Sequence, residues 1–177
     1  MEEGRMQEFW VFGYGSLMWR PGFAHEETRP ALLHGMSRRL CVYSHFHRGC
    51  EKRPGLVLGL DRGGSCRGVA FRVNANLWPE VLSYLREREQ VTHIYHEVTR
   101  RIRLVDEPGR EVTALTYVVD RAHSQYAGLL PISEQQAIVR QSIGQSGPNP
   151  EYVLSTVEHL RSMGIFDRQL EAVASGL

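Results

Sequence analysis

Phe9-Trp10-Val11-Phe12-Gly13-Tyr14-Gly15-Ser16-Leu17-Met18-Trp19-Arg20-Pro21-Gly22-Phe23 begins as a strand and ends as a corner. Aromatic and β-branched residues over Phe9–Phe12 suit a packed strand. Gly13 and Gly15 then free the backbone for conformations other residues resist, and Pro21-Gly22 marks a turn. A hydrophobic strand ending in a small, polar, glycine-bracketed corner can bring backbone N–H groups against a ligand. It can equally be an ordinary strand-to-turn corner.

Outward from this stretch, residues 24–30 are polar and turn-like, and 38–47 partly alternate as a long strand. Residues 49–54 form a charged loop. Leu56–Leu60 reads as a short strand that stops at Asp61-Arg62-Gly63-Gly64, a strong turn signal. Cys66–Val73 reads as the next strand, with Val69, Phe71 and Val73 on one face and Gly68, Ala70 and Arg72 on the other. Arg72 among small residues either lines a cavity or meets solvent. Strands are expected again over 95–105 and 112–120, around a Glu107-Pro108-Gly109-Arg110 turn.

The period changes at residues 76–90. Trp78, Val81, Leu82 and Leu85 recur at three- and four-residue spacing, which predicts a helix with Pro79 in its first turn. Ser133-Glu134-Gln135-Gln136 fits a capping box, so a helix should run to about Ile143. Asn149-Pro150 reads as an N-cap followed by proline at the first helical position, with that helix continuing through Leu160. A last helix is expected over 167–174. Strands dominate early and helices late, which is an α+β pattern and not βαβ repetition.

One residue conflicts with its helix. At about 100° per residue, Glu89 lies about 20° from Trp78, 20° from Leu82 and 40° from Leu85. It therefore continues the apolar stripe, while Glu87 points to water. An inward carboxylate is costly unless it is paired or functional. Burial would also make it a better base near neutrality. A salt bridge to a neighbouring arginine or a frayed helix end would explain it equally.

The 177 residues suit one domain spanning 1–177, with residues 1–8 expected as a poorly ordered tail. The chain is 42% hydrophobic and 23% charged, with a net charge of +1, which argues against non-specific nucleic-acid binding. Its start has charges and no apolar run, so no signal peptide is expected. No stretch approaches the about 18 apolar residues of a membrane span. Three cysteines without C-x-x-C spacing suggest neither a disulfide framework nor a zinc knuckle, and a cytoplasmic setting is expected. Lys52, the only lysine, sits in a charged loop.

Other chemistries fit less well. Gly13-Tyr14-Gly15 lacks the third glycine of a dinucleotide fingerprint, because Met18 stands there. Ser16 is not in a G-x-S-x-G elbow, since Tyr14 and Met18 occupy the glycine positions. His45 and His47 would share a strand face, but no third metal ligand has a recognisable spacing. Arg101 and Arg103 read as a solvated strand edge beside Arg100.

Four motifs in order, FGYGSLMW, GVAFRV, YLREREQ and PNPEY, resemble the glutathione-specific γ-glutamylcyclotransferases, also called ChaC proteins. The resemblance runs from about Phe9 to Leu160. It implies a small mixed β-barrel with flanking helices, and an enzyme without a cofactor or metal. It implies that Tyr14, Gly15, Ser16 and Leu17 bind substrate, that Glu89 is the catalytic acid/base, and that Tyr152 contacts substrate. The implied reaction cleaves the γ-glutamyl bond of glutathione to 5-oxoproline and cysteinylglycine. The substrate's own α-amino group attacks, so orientation carries much of the work. Cyclotransfer from other γ-glutamyl compounds, or a non-catalytic regulatory role linked to cation transport, remain the alternatives. The expected partner is the small-molecule substrate, with no nucleic acid or membrane; oligomeric state is left open.

Overall fold

The computed structural model describes residues 7–177. Of the expected 1–8 tail, residues 1–6 lie outside that range, while Glu8 accepts a hydrogen bond from the Trp10 indole N–H at 3.2 Å. Five strands close into a barrel in the order β1-β3-β2-β4-β5. They are β1 (Phe9–Gly13), β2 (Glu27–Ser44), β3 (Gly55–Val73), β4 (Tyr95–Leu104) and β5 (Glu111–Val119). The barrel is mixed: β1 runs antiparallel to β3, pairing Phe9 with Val73 through Gly13 with Val69. It runs parallel to β5 at Trp10 and Val11. The helices are α1 (Trp78–Glu89), α2 (Ile132–Gln141), α3 (Asn149–Ser162) and α4 (Arg168–Ala174), and Ser16–Met18 is a single 3₁₀ turn. A two-residue hairpin, β6 (Ile143–Gly144) with β7 (Gly147–Pro148), precedes α3.

Contact density divides the chain into two compact units. The first comprises the described residues up to Met36 together with Gly63–Tyr117. Its core joins Val11, Leu17, Phe71, Val73, Leu115 and Tyr117 to Val81 and Leu85 of α1. Phe9 stacks on Trp78 at 4.8 Å between ring centroids. Trp10 and Phe12, on the other face of β1, are buried as well. A strand covered on both faces must be hydrophobic throughout, which is why Phe9–Phe12 carries no polar residue.

The second unit comprises Ser37–Arg62 and Val118–Leu177. It holds the three later helices, with α4 packed on α2 and α3. Asp61 is buried there and takes the Arg121 guanidinium at 2.7 Å and the Tyr126 hydroxyl at 2.7 Å. Asp167 caps α4 by accepting from the Leu170 N–H.

The elements depart from the sequence reading in four places. β2 starts at Glu27, within the stretch expected to turn. That segment is polar because Arg29 spans Glu27, Asp106 and Glu107 on a solvated strand face. β3 is a single 19-residue strand. Gly63 and Gly64, at φ +94° and +71°, are absorbed inside it, as glycine bends in long barrel strands often are. The capping box at Ser133 does not form; α2 begins at Ile132 behind Pro131, with no side-chain cap. Asn149 is the first residue of α3 and not its cap. Its buried amide accepts from the Leu56 N–H at 2.8 Å and donates to the Leu56 carbonyl at 2.9 Å, acting as an extra strand partner.

Candidate active site

The corner after β1 and the end of α1 meet in the first unit. In a helical turn the first N–H groups have no partner inside the turn; here those are the amides of Gly15, Ser16 and Leu17. The turn closes through Met18 N–H to the Gly15 carbonyl at 2.9 Å and Arg20 N–H to the Ser16 carbonyl at 2.7 Å. Leu17 points into the core, buried with Tyr14 and Met18. Pro21-Gly22 then lays the chain against α1. Gly22 has φ +71°, and a Cβ on it would lie 2.0 Å from the Tyr84 hydroxyl oxygen, so a glycine is required there.

Glu89 closes α1. Its side chain is 18% exposed, and its carboxylate lies 3.4 Å from the Arg88 Nε. Burial raises its proton affinity above that of an ordinary glutamate, and the Arg88 charge offsets this only in part. Glu87 is exposed, as its position on the helix predicts.

Arg88 joins this acid to the corner. One guanidinium nitrogen donates to the carbonyls of Arg20 at 2.6 Å and Pro21 at 3.1 Å, and to the Tyr84 hydroxyl at 3.1 Å. The other donates to the Ser16 hydroxyl at 2.9 Å. Behind them, the buried Tyr117 hydroxyl donates to Glu97 at 3.1 Å. Glu97 in turn takes two hydrogen bonds from Arg86, at 3.0 and 2.9 Å. Burial first, then the charges of Glu97 and Glu89, keep the Tyr117 phenol protonated well above its usual range. The Arg86 hydrogen bonds hold Glu97 below the usual glutamate value.

Tyr152 belongs to the second unit. It stands in the first turn of α3, where its hydroxyl accepts from the Leu58 N–H at 3.1 Å. The Arg48 guanidinium lies 5.5 Å above its ring and donates to the Pro148 carbonyl at 3.2 Å. Arg72 pairs with Glu26 at 3.2 Å and Glu27 at 2.7 Å. It borders an open groove of about 1360 Å³ with Glu8, Trp10 and Arg110, and neither Glu89 nor the corner lines that groove. His45 and His47 are exposed, the latter against the Ser146 hydroxyl at 2.9 Å. Among the described residues no group of three or more His, Cys, Asp or Glu side chains could hold a metal. No helix of the described chain is long and apolar enough to cross a membrane.

Sequence reasoning missed Arg88, Tyr117 and Arg48. Arg88 entered only as the residue before Glu89, and two of its four acceptors are backbone carbonyls, which leave no trace in residue type. Tyr117 lay unremarked within the strand expected over 112–120.

A closed mixed barrel with four flanking helices is a γ-glutamylcyclotransferase-like architecture. The ChaC-like protein family model matches residues 9–176, and the chain belongs to that family. The chain is 36% identical over 183 residues to glutathione-specific gamma-glutamylcyclotransferase 1 of Rattus norvegicus, covering 99% of this chain and 81% of the relative. It is 32% identical over 158 residues to the glutathione-specific gamma-glutamylcyclotransferase of Escherichia coli strain K12, covering 89% and 68%. A crystal structure of the glutathione-specific enzyme from yeast superposes with a TM-score of 0.83, at 23% identity, covering 97% of this chain and 96% of that one.

Proposed function

We propose that this protein cleaves the γ-glutamyl bond of glutathione by intramolecular cyclisation, releasing 5-oxoproline and cysteinylglycine, with Glu89 as acid and base. The substrate's α-amino nitrogen forms a bond to its own γ-carbonyl carbon. The bond from that carbon to the cysteine nitrogen then breaks. No water is consumed: the attacking ammonium nitrogen loses two protons on becoming the lactam N–H, and the departing amide nitrogen gains two on becoming the ammonium of cysteinylglycine. One carboxylate between the two nitrogens serves both transfers. Holding the amine near the carbonyl turns the reaction into a well-oriented ring closure.

The observation that carries this reading is Glu89 itself, a mostly buried carboxylate of raised proton affinity at the helix end that Arg88 ties to the glycine–serine corner. A base of ordinary affinity would take the ammonium proton less readily. The amides of Gly15, Ser16 and Leu17 are assigned to the glutamyl end, on either the developing oxyanion or the α-carboxylate. Tyr152 is assigned to substrate binding on its match to the family motif. Cys41, Cys50 and Cys66 form no disulfide among the described residues, which supports a cytoplasmic setting.

Purified protein incubated with glutathione should release 5-oxoproline and cysteinylglycine in equal amounts. No product at high enzyme concentration would refute the reading. γ-Glutamyl amino acids run in the same assay define the substrate range; faster turnover of these than of glutathione would refute the glutathione assignment.

A further inference from the structure

Two arginine–glutamate pairs on α1 and its surroundings behave oppositely. Arg86 grips Glu97 with two nitrogens at 3.0 and 2.9 Å, and Glu97 is held below its usual proton affinity. Arg88 adjoins Glu89 in sequence and lies 3.4 Å from it, yet Glu89 stands above its usual affinity. Burial raises Glu89, and Arg88 does not counter it with hydrogen bonds as Arg86 does at Glu97, because its donors go elsewhere. Arg88's terminal nitrogens are spent on Ser16, Arg20, Pro21 and Tyr84, none of them charged acceptors.

We infer that Arg88 is a positioning residue that locks the glycine–serine corner to the end of α1, so that the substrate-binding amides and Glu89 stay in one register. The inference rests on the reading of Glu89 as the acid/base. A guanidinium suits this task because its planar fork offers donors in several fixed directions, which a lysine ammonium cannot reproduce. The arrangement also resolves a chemical conflict. An arginine that gripped Glu89 as Arg86 grips Glu97 would hold it ionised and spoil it as a base. With its terminal nitrogens engaged by the corner, Arg88 supplies a nearby positive charge but no strong hydrogen bond. It is 21% exposed, so water competes little for those donors. The other groups facing Glu89 are Tyr117 on β5, whose phenol feels the Glu89 charge, and behind it Glu97 on β4, neutralised by Arg86.

The test compares Arg88→Lys, Arg88→Met and the pair Ser16→Ala with Tyr84→Phe, using glutathione turnover from pH 4 to 9. Both Arg88 variants should lose about 10- to 100-fold in kcat, the scale of an ångström-sized misplacement of reacting groups, with a smaller change in KM. In Arg88→Met the acid limb of kcat/KM should also move to higher pH, because a positive charge beside Glu89 is gone. In Arg88→Lys that limb should stay where it is. Guanidinium ion at millimolar concentration should partly restore Arg88→Met. Wild-type kcat in Arg88→Lys would overturn the inference, since charge alone would then suffice. So would a lower melting temperature with unchanged kcat and acid limb in Arg88→Met. Should neither Arg88 variant fold, the Ser16→Ala/Tyr84→Phe double variant decides: a several-fold lower kcat with an unmoved acid limb supports the clamp, and wild-type kcat overturns it. Wild-type turnover is the reference throughout. An inactive wild type refutes the proposed function, whereas an active wild type with an indifferent Arg88 refutes only the clamp.

Discussion

Glu89→Gln and Glu87→Gln separate two carboxylates that lie two residues apart on one helix. Glutamine keeps the shape of the side chain and removes its capacity to carry a proton. A positioned general acid or base contributes about 10²–10⁴-fold, or about 3–5 kcal/mol of transition-state free energy. Glu89→Gln should therefore lose about that much in kcat/KM. Glu87 is exposed and should lose almost nothing. Stability should move the other way. The Glu89 carboxylate is desolvated, and its ion-pair contact with Arg88 is 3.4 Å long. Its folded-state proton affinity is raised, so the folded protein binds more protons than the unfolded chain between the two values. Folding stability thus falls as pH rises through that window. An uncharged glutamine removes this penalty. At pH 7 Glu89→Gln should unfold at a denaturant concentration equal to or above that of the wild type, while its turnover collapses. The assay pairs 5-oxoproline release with urea unfolding on the same preparations. Equal losses in the two variants would refute the helical-face argument. A Glu89→Gln protein that is both inactive and markedly destabilised would refute the claim that this acid is held at a cost.

Asn149→Ala should cost about 2–4 kcal/mol in urea unfolding, because it leaves both the buried N–H and the carbonyl of Leu56 without their partner; a loss below about 0.5 kcal/mol would mean that the strand closes without it. Gly68→Ala places a Cβ 2.3 Å from the Gly13 carbonyl oxygen and must push β1 and its corner aside, so stability and turnover should fall together, as unfolding and kcat measured side by side would show. Asp61 is buried, which opposes its charge, but the hydrogen bonds from Arg121 and Tyr126 prevail and hold its proton affinity below the usual aspartate value. It therefore contributes stability above the unfolded-state value near 3.9 that is lost as pH falls through the lower folded-state value. Asp61→Asn should be destabilised by about 3–5 kcal/mol at pH 7 and show a flatter acid unfolding curve.

Much of this was legible in the chain, and the illegible part has a physical pattern. Phe9–Phe12 declared itself because both of its faces are buried, and residue type reports burial directly. Glu89 declared itself because helical spacing fixes direction, so a charge on an apolar stripe stands out. The start of β2 was hidden because its solvated face is built from ion pairs, and Glu27, Arg29 and Pro30 have the composition of a turn. β3 was cut in two because Gly63-Gly64 signals a bend, and composition does not tell a bend between strands from one within a strand. Asn149 and Arg88 were misjudged for a shared reason. Their partners include main-chain groups far along the chain, 93 residues away at Leu56 and 68 at Arg20. Main-chain donors and acceptors are the same at every residue, so only the fold reveals which ones meet.

The central claim is a water-free ring closure driven by one glutamate, and its direct measurement is product analysis in H₂¹⁸O. Glutathione turned over by the wild-type protein should give 5-oxoproline and cysteinylglycine in equal amounts, with no ¹⁸O incorporated during turnover, and Glu89→Gln should give them about 10²–10⁴-fold more slowly. Release of free glutamate carrying ¹⁸O in its γ-carboxylate would show hydrolysis in place of cyclisation and contradict the account.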